Sequence, residues 1–130
     1  MNYHKLMFLI AAIHNYVGSL LFIFLYSKVY TIFGNKPPVP GIHYQTWIGL
    51  IFVFGVMYHM ISKDRFGSKN LVILGILGKA VSASPMLFAL ITKNPNVPIG
   101  FVVPIITDFI FLILFFEFFI TTTKKKLWKI

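Results

Sequence analysis

At 130 residues, 58% of them hydrophobic and only 12% charged, the chain has about half the charged fraction usual for a soluble domain. Cysteine is absent, which excludes a disulfide framework, a zinc–thiolate centre and a thiol nucleophile. The net charge of +9 does not point to nucleic acid, because the basic residues lie in short segments at the ends of apolar runs, where membrane proteins carry them.

Four apolar runs follow one another. The first covers about Leu6 to Tyr26 and extends toward Phe33. It starts like a leader peptide, with Lys5 before Leu6-Met7-Phe8-Leu9-Ile10, but the apolar pattern continues through Leu20-Leu21-Phe22-Ile23. The pattern therefore predicts a retained helix. The others cover about Tyr44 to Ile61, Leu71 to Ile91 and Pro98 to Ile120. A hydrocarbon core of ~30 Å needs about 20 residues of helix, and each run is close to that.

The connections carry breaker chemistry. Gly34-Asn35-Lys36-Pro37-Pro38-Val39-Pro40-Gly41 cannot be helical, because proline lacks an N–H and fixes φ. Lys63 to Asn70 reads as a polar turn in which Ser68 or Asn70 caps the next helix. Thr92 to Pro98 reads as a third turn. Short links make neighbouring helices antiparallel. The expected fold is all-α, a single four-helix transmembrane bundle over residues 1–130.

Counting basic residues predicts its orientation. The N-terminus, second link and C-terminus share one side, with Lys5, Lys63, Arg65, Lys69, Lys124, Lys125, Lys126 and Lys129. The opposite side has Lys28, Lys36 and Lys93. The richer side is expected in the cytoplasm, with the chain in the inner cell membrane. Trp47, Tyr44, Tyr26 and Tyr30 suit the outer interface, Tyr3 and Trp128 the inner one.

The informative residues are polar groups inside the runs: His14, Asn15, Tyr58, His59, Lys79, Ser82, Asp108 and Glu117. An ionisable side chain at the bilayer centre costs ~2.5–3.5 kcal/mol on insertion scales, so such groups face the bundle interior and pair. Depth counted at ~1.5 Å per residue puts His14, Asn15, Lys79, Ser82 and Asp108 in one layer, roughly 13–18 Å from the cytoplasmic ends. His59 and Glu117 lie shallower, at about 4 Å on the same count. Helical spacing gives three small and polar stripes: Ala11, His14, Asn15, Gly18, Ser19; Gly55, Tyr58, His59, Ser62; and Gly75, Gly78, Lys79, Ser82, Pro85. Small residues let helices approach, so the stripes predict packing faces with Gly18, Gly55, Gly75 and Gly78 at contacts. Pro104 is expected to kink the fourth helix above Asp108. Glu117, half a turn away, is expected at the interface or on a basic link residue. Lys79 and Asp108 are expected to pair, either as a structural ion pair or as a functional site.

Other signals fail. Gly78-Lys79 lacks the earlier glycine and the Ser/Thr of a phosphate loop. No two histidines stand at i, i+4. His14 and His59 differ in depth by about 9 Å, poor for axial ligands of one haem. No metal or cofactor is predicted.

Asn15-Tyr16-Val17-Gly18, Phe54-Gly55-Val56-Met57-Tyr58, Lys63-Asp64, Gly75-Ile76-Leu77-Gly78-Lys79 and Asp108-Phe109-Ile110-Phe111 resemble a family of small bacterial four-helix membrane proteins of undescribed function. That family usually has an aromatic residue where this chain has His14. The size and helix plan also resemble DoxX-like proteins, without the glutamate those tend to carry early in the second helix. The resemblance implies a bundle with a shared polar core and supplies no activity.

Three function classes remain. One is a ligand-binding or accessory subunit whose polar core holds a lipophilic small molecule or a partner membrane subunit. Another is a membrane-embedded acid–base enzyme with a lipophilic substrate, in which Lys79 and Asp108 move protons and His14 or Tyr58 assists. The last is a proton- or ion-coupled transporter, which four helices would support only as a homo-oligomer. The expected partners are membrane lipids and one of these molecules, with no nucleic acid.

Overall fold

A computed structural model of the chain describes residues 2–34, 41–95, 97 and 99–129. All its regular elements are helical: α1 (Tyr3–Phe24), α2 (Tyr26–Ile32), α3 (Ile42–Lys63), α4 (Lys69–Ile91) and α5 (Val102–Lys124). Four stretches are long and apolar enough to cross a membrane, namely α1, α3, α4 and the Ile99–Lys124 unit containing α5.

Boundaries follow local chemistry. The Asn2 side chain accepts from His4 N at 3.0 Å and caps α1. The first apolar run is not one helix: Leu25, at φ −125° and ψ 24°, separates α1 from α2. Gly34 adopts φ +81° after α2, a left-handed conformation that glycine takes without steric cost. The proline-rich link predicted between the first two runs falls on 35–40, outside the described residues. Ser68 occupies the cap position of α4 without capping it, because its hydroxyl donates to the Asp64 carbonyl at 2.6 Å. Asn70 lies inside α4.

A 3-10 turn, Ile99–Phe101, leads into α5. Pro104 therefore sits in the first turn of α5, where N–H groups lack an intrahelical acceptor. The expected interruption above Asp108 is the junction between the two helix types, not a kink within a long helix. Pro85 does lie inside α4 and leaves the Val81 carbonyl without its helical donor.

Contacts run in opposite directions along successive helices. Between α1 and α3, Asn15 meets Ile51 and Phe22 meets Tyr44. Between α3 and α4, Tyr58 lies against Gly75 and Phe54 against Gly78. Lys79 meets Asp108 between α4 and α5, and Phe8 stacks on Phe115 between α1 and α5. The four long helices thus form a closed antiparallel ring in the order α1, α3, α4, α5. The α1–α3 seam is the most extensive, the α3–α4 seam is slight, and the α1–α5 seam is closed mainly by ring contacts such as Phe8 on Phe115.

Two aromatic layers fill the ring. One, built on Phe8, Tyr58, Phe111, Phe115 and Phe118, packs the end holding the N-terminus. The other, built on Tyr30, Phe101 and Ile105 with Phe22, Phe33 and Tyr44 against it, packs the far end. Outside the ring Val81, Ile99, Val103 and Ile113 are exposed, which suits lipid and would be a liability in water.

The N-terminus, the α3–α4 link and the C-terminus meet at one end. His4 Nε2 lies 3.3 Å from Glu117 Oε2, and Thr121 Oγ1 donates to Glu117 Oε1 at 3.1 Å. Glu117 thus pairs with the N-terminal segment and not with a basic link residue. Lys129 N donates to the Phe66 carbonyl at 2.9 Å, and Lys129 Nζ to Asp64 Oδ1 at 2.8 Å.

The hydrogen bond from Lys129 holds the Asp64 carboxyl below its ordinary value of 3.8, with a further contribution from Gly67 N–H. A depressed carboxylate favours the docked tail above the unfolded value and loses that contribution as pH falls through the folded one. Titration of Asp64 followed by carbon-13 NMR should give a midpoint below 3.8 in the natural chain and a higher one in Lys129→Ala. An unchanged midpoint would show that the tail does not restrain this link.

Candidate functional site

Lys79 projects from the middle of α4 into the ring and is 4% exposed. Its ammonium donates to Asp108 Oδ1 at 2.5 Å and to Asn15 Oδ1 at 3.2 Å. Asn15 is oriented from α3, since its Nδ2 donates to the Ile51 carbonyl at 3.0 Å and leaves the oxygen for Lys79. The Lys79 Nζ also lies 5.5 Å from the ring centroids of both Tyr58 and Phe111. Such distances allow cation–π attraction, which strengthens when the cation is desolvated. Helices α1, α3, α4 and α5 therefore all contribute to holding one ammonium.

Asp108 is less enclosed, with 22% of its side chain exposed. The exposure is to a cavity of about 550 Å³ between the four long helices, within the range of small-molecule pockets. His14, Asn15, Tyr58, Lys79, Ser82 and Asp108 all contribute to its lining. The rest is mostly apolar, including Phe22, Trp47, Phe54, Met86 and Phe101. Lys79 and Asp108 are the charged members of the lining, so the formal charge around the void sums to zero. The Ser82 hydroxyl is directed to the Lys79 carbonyl at 3.3 Å, and the His14 ring lies 5.8 Å from Phe111.

Comparison with known proteins gives no assignment. No family model, curated protein or solved structure matches the chain. Its chemistry is read from its own residues.

Six of the eight polar residues singled out in the sequence line one cavity; Glu117, at the end holding the termini, and His59 do not. His59 turns toward α1, with Nδ1 3.4 Å from Tyr16 Oη, while its neighbour Tyr58 points inward. Successive helical residues point about 100° apart, which here separates the two. His14 and His59 consequently serve different surfaces. Among the described residues no three His, Cys, Asp or Glu side chains could hold a metal ion.

Of the four glycines expected at contacts, three are there. A Cβ at Gly55 would lie 2.9 Å from the Tyr16 ring and 3.2 Å from Asn15 Cβ. At Gly75 it would lie 3.0 Å from Tyr58, and at Gly78 it would overlap Phe54. Gly18 is different: a Cβ there meets nothing within 4 Å, and the residue borders the cavity. Sequence reasoning missed the Ile51 carbonyl, a backbone group with no residue-type signal. It took Trp47 for an interface marker, although Trp47 also lines the cavity.

Proposed function

We propose that the chain is a four-span protein of the inner membrane, with both termini in the cytoplasm, whose central cavity binds a lipophilic small molecule. The observation that carries this reading is the cavity itself: apolar walls around a polar cluster of Lys79, Asp108 and Asn15, inside helices of membrane-spanning length. Binding sites are typically mostly apolar, with a few placed polar groups that fix orientation. The basic bias toward the end holding both termini supports the orientation. The resemblance to small four-helix bacterial membrane proteins agrees with a shared polar core.

Binding is better supported than turnover. Acid–base catalysis needs a group free to exchange a proton with substrate, whereas Lys79 and Asp108 hold each other at 2.5 Å. Conduction is also less well supported, because aromatic layers pack both ends of the ring.

The test uses hexadecyl probes carrying a mid-chain diazirine and an alcohol, carboxylate or amine head, applied to the protein in lipid nanodiscs. At least one should label Trp47, Phe54 or Met86 on irradiation. Gly18→Phe, which directs a ring into the void without displacing a neighbour at Cβ, should cut that labelling at least ~10-fold. If every probe labelled only outward residues such as Val103 and Ile113, equally in both proteins, the cavity would not be a binding site.

A further inference from the structure

The cavity has one poorly sealed side. Helices α3 and α4 touch closely where Tyr58 meets Gly75 and Phe54 meets Gly78, in the half that holds the chain termini. Beyond Phe54 and Gly78 the two helices present lining residues that are also exposed on the outside of the ring. From α3 these are Trp47, 38% exposed, and Leu50, 54% exposed. From α4 they are Val81, 71% exposed, with Ser82 and Pro85. The α1–α3 and α4–α5 seams are far more extensive. The α1–α5 seam has few close backbone approaches, but rings bridge it, Phe22 against Phe101 and His14 against Phe111, and none of the lining residues on α1 or α5 is exposed. Aromatic layers block both ends. The way in is therefore sideways, between α3 and α4, across apolar side chains at membrane depth.

The polar cluster limits what can enter. An ammonium has three N–H donors, and two of those on Lys79 are engaged by Asp108 and Asn15. Asp108 Oδ1 is engaged, while among the described residues Oδ2 has no hydrogen-bond partner. One ammonium N–H and one carboxylate oxygen are thus left over for a ligand, on two residues that both border the cavity and together carry no net charge. A hydroxyl can accept from the ammonium and donate to the carboxylate at once. A carboxylate or phosphate head would bring a negative charge beside Asp108 with no second cation in the lining, and an ammonium head would crowd Lys79. A third charge at this depth has no counterion and loses its hydration.

We infer that the cavity takes an uncharged hydroxyl-bearing amphiphile, such as a long-chain or polycyclic alcohol or a phenol. It enters from the lipid between α3 and α4 and sets its hydroxyl on Lys79 and Asp108. This rests on the binding role proposed above and names the chemistry and route for the same site.

The probes that test the binding role separate the two claims. With the same chain and diazirine, the alcohol should label the cavity at least ~10-fold more than the carboxylate or the amine at pH 7, judged by the Gly18→Phe-sensitive signal. Preference for either charged head would overturn the inference while the binding role stood. Absence of cavity labelling by all three would remove both. For the route, Leu50→Trp with Val81→Trp adds bulk at two exposed positions on opposite rims of the opening. The alcohol should then label the cavity at least ~5-fold more slowly, with the helical circular dichroism unchanged. An unchanged rate would exclude this opening. A paired Asp108→Asn and Lys79→Met protein that kept the preference for the alcohol would exclude recognition by the ion pair.

Discussion

Asp108→Asn is expected to lower the unfolding free energy by about 3–5 kcal/mol, the typical cost of stranding one member of a buried ion pair. The change leaves Lys79, 4% exposed, as a cation whose remaining neighbours are the Asn15 oxygen and two aromatic faces, none of them charged. Lys79→Met should cost less, about 1–3 kcal/mol. It strands Asp108, which is 22% exposed toward the cavity, where water or a ligand can replace the lost donor. The double change removes both charges and should be less harmful than Asp108→Asn alone, with a coupling of about 1–3 kcal/mol. Unfolding by steric trapping in bicelles reads all four corners of the cycle. Two harmless single changes would mean that the pair does not determine stability. The double variant also separates the structural from the functional account of the pair: if it folds and still labels with the alcohol probe like the natural chain, the pair is structural.

What could be read from the sequence was whatever is anomalous in an apolar setting. A lysine in the third run and an aspartate in the fourth stand out because lipid penalises them, and counting residues from the ends brings them to one depth. The fold joins them, with Asn15 as the third member. The four spans were legible because run length alone decides them. The break at Leu25 was not, because neither glycine nor proline marks it. Ser68 and Pro104 had correct residue types for a cap and a kink, but each role depends on where the helix starts to within a residue or two. His59 shared a stripe with Tyr58 only because a stripe two residues wide spans about 100° of helix, enough to take one inward and the other onto the Tyr16 side. The polar residues marked the place, but that a void lies beside them left no trace in any residue type. A void depends on side chains that fail to meet, and several of those bordering it, among them Phe22, Ile48 and Ile51, are ordinary apolar residues.

Gly55→Leu is expected to be more disruptive than Gly78→Leu, while Gly18→Ala should stabilise, although all three glycines lie on small-residue stripes facing the bundle. At Gly55 the obstacle includes Asn15 Cβ at 3.2 Å, an atom fixed to the α1 backbone that cannot swing aside as a ring tip can. A leucine there must push α1 from α3 along their most extensive seam. The push also pulls Asn15 from the Ile51 carbonyl, the bond that holds its oxygen toward Lys79. Overpacking alone costs about 1–3 kcal/mol, and loss of the Asn15 bond adds about 1 kcal/mol. At Gly78 the first obstacle is the edge of the Phe54 ring, which borders the cavity and has room to turn into it, so the same leucine should cost less there. At Gly18 a methyl group meets no atom within 4 Å, and replacing a mid-helix glycine by alanine typically gains about 0.5–1 kcal/mol. Thermal unfolding in one detergent should therefore rank the proteins Gly18→Ala, natural chain, Gly78→Leu and Gly55→Leu, from highest to lowest midpoint. A Gly55→Leu protein as stable as the natural chain would show that α1 and α3 are not in contact at Asn15, and the polar cluster built on that contact would fall with it.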